Sequence, residues 1–252
     1  MEGWKIINGG NAKFLELGAG KPLLILHGWN SSLSSWKETA ISLAENGNRV
    51  IVPDMPGFGS SDAPDRPWTT DDYTKWVLDL IRELNLKNIN LAGHSFGGGL
   101  AIKLAVQRPE LFEKLVLIST ARIRKKKSLH RSIIKVGAKI IKFFSFLPLY
   151  EKARSLLYRK IVGTADYPRA SGTMKDTFKN VIAEDLTPVI SLINLPTIII
   201  WGDKDRLTEI GDAHLLNKSI KNSKLEIIPG IGHAPNIEHP KKLAELINKF
   251  IK

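Results

Sequence analysis

Ser95 stands in the run Leu91-Ala92-Gly93-His94-Ser95-Phe96-Gly97-Gly98, which fits the pattern G-x-S-x-G at Gly93, Ser95 and Gly97. Strand-forming residues, Asn88 to Leu91, precede it, and a good helix former, Leu100 to Gln107, follows. A serine wedged between strand and helix must turn so sharply that its backbone is strained, and small neighbours are the ones that fit. The turn pushes the hydroxyl out over the sheet edge. It also sets the next backbone N–H, that of Phe96, at a helix N-terminus, where it can stabilise a developing oxyanion. The implied chemistry is nucleophilic attack by Ser95. A chance glycine-rich turn is the bland alternative, and the flanking strand and helix argue against it.

A serine hydroxyl is a weak nucleophile at neutral pH. It needs a base, usually histidine, and that base needs a carboxylate to orient it. Both partners occur downstream. Asp203 and Asp205 lie in Trp201-Gly202-Asp203-Lys204-Asp205, and His233 lies in Pro229-Gly230-Ile231-Gly232-His233. Each group follows a strand-forming run, and catalytic groups in parallel sheets gather at the carboxyl ends of strands.

The elements that must position these groups are legible from pattern. Trp4 to Ile7 and Lys13 to Leu17 read as short strands around a Gly9-Gly10 turn. Pro22 to Leu26 is a continuous apolar run, as expected of a strand buried on both faces. Arg49 to Val52, Lys114 to Ile118, Thr197 to Trp201 and Lys224 to Ile228 are further strands. Between them, Ser34 to Asn46, Thr70 to Asn85, Asp212 to Ile220 and Pro240 to Ile251 read as helices. In the second of these, Trp76, Val77, Leu80, Ile81 and Leu84 recur at helical spacing; Thr69 or Thr70 can cap it, with Asp71 and Asp72 at the positive end of its dipole. The alternation predicts an α/β fold with a mostly parallel central sheet flanked by helices. From Ala121 to Leu195 the strand signal vanishes, which predicts an inserted helical cap. The expected organisation is core over 1–121, cap over 122–195 and core again over 196–252.

The order Ser, Asp, His resembles that of the α/β-hydrolase fold family. The resemblance covers essentially the whole chain except the cap sequence, and the chain looks like a carboxylesterase-like serine hydrolase with a helical cap. Two further motifs carry it: His27-Gly28-Trp29 after the third strand, and Asp54-Met55-Pro56-Gly57-Phe58-Gly59-Ser60-Ser61 after the fourth. Together the motifs are specific for the fold and poor guides to substrate. By position, the resemblance implies Ser95 as nucleophile, His233 as general base and Asp205, rather than Asp203, as the acid, leaving Asp203 to brace the loop. It implies the Trp29 N–H as the second oxyanion donor beside that of Phe96.

A serine at the turn excludes the dehalogenase and epoxide-hydrolase chemistry of similar proteins, which needs aspartate there. It favours acyl transfer through an acyl-enzyme. Small to medium apolar carboxylic esters are the expected substrates. Lactones, including acyl-homoserine lactones, C–C bond hydrolysis and cofactor-free perhydrolysis use the same triad and stay open. So does a non-catalytic relative, although such relatives usually lose a triad member.

Composition limits the rest. The chain has 252 residues, no cysteine and no apolar run of about 18 residues. Disulfides and thiolate chemistry are therefore excluded. With no signal-like start, the expected location is cytoplasmic. Six histidines show no H-x-x-x-H or H-x-H spacing, so no metal is expected, and no cofactor. His27 is expected to prop the loop it starts, and His94 to be the variable residue of the turn. His214 and His239 read as surface residues, and His130 as surface or pocket.

Of the 37 Lys and Arg residues, 13 fall between Arg122 and Lys160 against the single acid Glu151, so this stretch carries the whole +12 excess. Within it, Leu129, Ile133, Val136, Ile140, Phe143 and Phe144 share one helical face, and Arg131, Lys135, Lys139 and Lys142 the other. The preferred reading is a cap helix with its apolar face on the core and its lysines solvated. Weak association with an anionic surface and steering of anionic substrates are the alternatives. Nucleic-acid binding is not expected, because aromatics and charges lie on opposite faces. Phe143, Phe144, Phe146 and Leu147 are the candidate substrate pocket. Oligomeric state is not legible.

Overall fold

Alternate residues of the buried strands enter two different apolar layers. Leu24, Leu26, Ile51, Leu91, Leu115, Leu117, Ile199 and Trp201 join one, while Leu23, Ile25, Val50, Val52, Ala92, Val116, Ile118, Ile198 and Ile200 join the other. A strand with period-two side chains can do this only if both faces are covered. The computed structural model, which describes residues 1–123 and 172–252, shows what covers them.

Among the described residues, eight strands form one sheet in the order β1-β2-β4-β3-β5-β6-β7-β8. They are β1 (Glu2–Ile7), β2 (Gly10–Leu17), β3 (Lys21–Leu26), β4 (Asn48–Pro53), β5 (Ile89–His94), β6 (Phe112–Ile118), β7 (Thr197–Gly202) and β8 (Ser223–Ile228). The β1–β2 and β2–β4 pairings are antiparallel, and the rest are parallel. Helices α1 (Lys37–Glu45) and α7 (Pro240–Ile251) cover one face through Ala40, Leu43, Leu243, Ala244 and Ile247. Helices α2 (Thr70–Glu83), α3 (Phe96–Gln107) and α5 (Ile210–Ser219) cover the other through Trp76, Val77, Leu80, Leu100, Leu104, Ala213 and Leu216. The remaining described α-helices are α4 (Gly172–Ala183) and the single turn α6 (Pro235–Glu238). Val181, Leu186, Ile190 and Ile193 are buried in the same apolar layer as α2 and α3. The fold class read from the strand–helix alternation is the one observed.

Two boundaries differ from the sequence reading in a way that matters for the site. Strand β5 does not end at Leu91 but continues to His94, and α3 begins at Phe96 rather than Leu100. The glycines that weakened both patterns are required by close packing. A Cβ on Gly93 would lie 2.7 Å from the Gly98 Cα, and one on Gly97 would lie 2.6 Å from the His27 carbonyl oxygen. Ser95 is therefore the sole residue between strand and helix. At α2 the cap is Thr69, which with Asp72 forms a reciprocal capping box. Thr70 is used elsewhere, donating from Oγ1 to Glu184 Oε2 at 2.6 Å.

The basic amphipathic stretch 128–146, His130 and the candidate pocket residues Phe143, Phe144, Phe146 and Leu147 lie outside the described residues. No described helix is long and apolar enough to cross a membrane.

Candidate active site

Ser95 adopts φ 49° and ψ −111°, a conformation L-residues avoid at a cost of about 1–3 kcal/mol. Its backbone is held on all sides. Its N–H donates to Ile118 O at 2.9 Å, and its carbonyl accepts from Gly99 N at 3.2 Å and Ala121 N at 3.1 Å. Strand β6 and helix α3 thus over-determine the turn, which is what allows the strain to persist. The positive end of α3 starts at the very next residue.

Asp205 follows β7 and His233 follows β8, and the two side chains meet: His233 Nδ1 lies 2.8 Å from Asp205 Oδ2. The aspartate side chain is fully buried. Burial alone would raise its pKa. The hydrogen bond and charge of His233, with the bonds from Thr208, outweigh it and hold the carboxyl at about 2. An ionised carboxylate only accepts, so Nδ1 carries the proton, which leaves Nε2 as the nitrogen that can act as base in the neutral ring. Leu207 N and Thr208 N each donate to Asp205 Oδ1 at 2.9 Å, and Thr208 Oγ1 donates to Oδ2 at 2.6 Å. Asp203 sits apart from the histidine ring's partner. Its Oδ1 accepts from Gly230 N at 2.7 Å and ties the β7 loop to the β8 loop.

The backbone of His233 is fixed from two directions. His94 Nε2 donates to the His233 carbonyl at 2.7 Å. Glu238 accepts from the two flanking amides, Gly232 N at 2.8 Å and Ala234 N at 3.1 Å. Burial, joined by the charge of the nearby His233, lowers the His94 pKa to about 3, so the His94 ring is neutral at pH 7. Thr208, His94 and Glu238 were not singled out as site residues from sequence. Thr208 leaves a trace there, since Asp-x-x-Thr is a spacing at which an aspartate caps its own turn. His94 and Glu238 leave none that could be separated from their neighbours.

Trp29 lies on the loop after β3, and that loop packs on the serine turn. Gly97 N donates to His27 O at 3.1 Å, and a Cβ on Gly28 would lie 3.4 Å from the Ser95 Cβ. His27 supports the loop with both ring nitrogens. Nδ1 donates to Gly28 O at 2.8 Å and Nε2 accepts from Met55 N at 3.0 Å. Burial pushes its pKa down to about 4, which keeps that neutral tautomer. Asp54 adds the second support, accepting from Leu33 N at 2.7 Å and Ser60 N at 2.8 Å. The Asp54–Ser61 run is thus the brace of the Trp29 loop.

Neither Trp29 N nor Phe96 N has a backbone acceptor outside the helix and strand ladders among the described residues. Phe96 is the first residue of α3, whose first-turn N–H groups have no partner within the helix. Their side chains pack together. The Trp29 ring meets Phe58 at 4.8 Å, Phe96 at 5.3 Å and Phe178 at 5.0 Å between centroids. No group of three or more His, Asp or Glu residues suited to a metal occurs among the described residues. His214 and His239 are exposed. Among the described residues the arrangement offers a strained serine, a histidine held at Nδ1 by an ionised acid, and two N–H groups with no backbone acceptor. Such a set can carry acyl transfer.

The family model for the alpha/beta hydrolase fold matches residues 21–139. A putative non-heme chloroperoxidase of Synechocystis sp. (strain ATCC 27184 / PCC 6803 / Kazusa) is 31% identical over 257 residues, covering 94% of this chain and 93% of the relative. The 2-hydroxymuconate semialdehyde hydrolase of Pseudomonas sp. (strain CF600) is 26% identical over 260 residues, covering 94% and 88% respectively. Among solved structures, a serine hydrolase involved in carbazole degradation superposes with a TM-score of 0.76 at 25% identity, covering 100% of this chain and 98% of that one.

Proposed function

The chain belongs to the α/β-hydrolase fold family, and from that premise we propose that it is a serine hydrolase that cleaves small to medium apolar carboxylic esters through an acyl-enzyme. The observation that carries the reading is the Asp205–His233 pair at 2.8 Å at the sheet edge where Ser95 is held at φ 49°. Ser95 Oγ attacks the ester carbonyl while His233 Nε2 takes its proton. Asp205 keeps Nδ1 protonated and stabilises the imidazolium that forms. The N–H groups of Trp29 and Phe96 bind the oxyanion. The imidazolium then protonates the leaving alkoxide, the alcohol departs, and His233 activates water to release the acid.

The second reading is C–C bond hydrolysis. The observation favouring it is the likeness over nearly the full chain to a 2-hydroxymuconate semialdehyde hydrolase. Lactone hydrolysis is the variant of the first reading in which acid and alcohol stay joined. A panel of p-nitrophenyl esters of rising chain length, run beside an acyl-homoserine lactone and a dienoic diketone, tests both. Acetate or butyrate ester turnover well above the other two supports the ester reading, and preferential cleavage of the diketone overturns it.

A further inference from the structure

Arg122 begins the basic stretch in the sequence, yet its side chain is only 5% exposed. Nη2 donates to Phe96 O at 2.9 Å, and Cζ lies 5.4 Å from the centroid of the Phe96 ring. Gly99 makes the room: a Cβ there would lie within 2.6 Å of the guanidinium Nε. The preceding residue acts on the adjoining peptide, because Ala121 N donates to Ser95 O at 3.1 Å. Residues 121 and 122 therefore hold the carbonyls of both peptide planes flanking Phe96. The plane held by Ala121 N carries the Phe96 N–H, and the plane held by the Arg122 side chain is the next one, which carries the Gly97 N–H.

The far end of Arg122 is anchored too. Its carbonyl accepts from Leu186 N at 3.1 Å, and Nη1 lies 3.4 Å from Glu184 Oε2. Glu184 is itself fixed to α3 and α2, through Lys103 Nζ at 2.6 Å and Thr70 Oγ1 at 2.6 Å. Burial lowers the guanidinium pKa to about 10, and the charge of Glu184 opposes that shift. Its Nε has no partner among the described residues. A packed apolar side chain would fill such a place at less desolvation cost than a cation. The arrangement makes sense where a cation and a donor are needed beside the turn.

We propose that Arg122 is a positioning residue that, by holding the Phe96–Gly97 peptide, fixes the first turn of α3 and through it the neighbouring peptide that carries the Phe96 N–H of the oxyanion site; this rests on the serine-hydrolase reading above. Rotation of either peptide plane would break a bond to residue 121 or 122.

The test is p-nitrophenyl acetate kinetics on wild type, Arg122→Lys, Arg122→Met and Gly99→Ala, with thermal melts of each and the rate of Ser95 modification by a fluorophosphonate. The expected result for Arg122→Met is a kcat loss of about 10- to 100-fold, short of the roughly 10²–10³-fold cost of deleting an oxyanion donor. KM should move less than about threefold, because the site acts on the transition state. Fluorophosphonate modification should slow in parallel. Gly99→Ala should show the same split by displacing the guanidinium, and Arg122→Lys should recover part of the loss. If Arg122→Met does not fold, the lysine and Gly99 variants decide the matter. A lowered melting temperature with kcat unchanged in the folded protein would overturn the proposal, as would a change confined to KM. Wild type left unmodified at Ser95 would instead sink the serine-hydrolase reading.

Discussion

His94 Nε2 donates to the main-chain oxygen of His233 across 2.7 Å, joining residues 139 positions apart. The residue before the proposed nucleophile thus holds the backbone of the proposed base. The bond ties the end of β5, just before Ser95, to the loop that carries His233.

This bond predicts a graded response at position 94. Glutamine places a donor where Nε2 lies, so His94→Gln should keep kcat within about threefold of wild type. Alanine removes the donor and leaves a cavity, and His94→Ala should lose about 10- to 100-fold, the scale expected when a reacting group is misplaced by about 1 Å. Steady-state kinetics on p-nitrophenyl acetate measures both. Equal effects of the two substitutions would mean that the hydrogen bond does not matter.

The two aspartates should separate sharply. Asp205→Asn removes the acceptor that fixes the His233 tautomer, and a comparable loss in a serine protease is about 10⁴-fold in kcat. Asp203 bonds Gly230 N instead. Asp203→Asn should therefore lower stability by about 1 kcal/mol and change kcat little. Kinetics and urea melts on the pair check this, and a larger catalytic loss at Asp203 would reverse the assignment.

Two buried histidines make stability sensitive to acid. His27 and His94 titrate near 4 and 3 in the folded protein, below the ordinary 6.5, because burial disfavours their charged forms. The unfolded chain binds their protons first. Stability is complete above about pH 7 and falls as pH drops from about 6.5 towards 4, by about 1.4 kcal/mol per pH unit for each histidine. Asp205, held near 2, adds to the loss only below about pH 4. Urea unfolding at pH 7, 6 and 5 should show this slope, and His94→Gln should roughly halve it. Stability that stays flat from pH 7 to pH 5 would contradict the account.

Sequence pattern carried the sheet well because its strands are short, apolar and bounded by turns. It misjudged β5 and α3, where Gly93, Gly97, Gly98 and Gly99 look like breakers but make room, the first two for neighbouring main chain and the last two for the Thr120 and Arg122 side chains. The serine turn and the acid and histidine loops could be found because catalytic groups in parallel sheets follow strand ends. Their supports could not. His94 and Arg122 reach main-chain oxygens far along the chain, and Glu238 accepts from two nearby main-chain amides; main-chain partners leave no mark in a sequence. Arg122 also sat at the head of a charge run, where counting charges cannot tell a buried guanidinium from a solvated one.

The central claim is that Ser95 is the nucleophile, and the most direct measurement is ester hydrolysis by Ser95→Ala together with mass analysis of wild type treated with a fluorophosphonate. The account predicts a single covalent adduct on the peptide carrying Ser95 and none in the variant. It also predicts that Ser95→Ala loses at least about 10⁴-fold in kcat while its melting temperature stays close to wild type. A folded Ser95→Ala protein that keeps a tenth of wild-type activity, or an adduct on another residue, would contradict it.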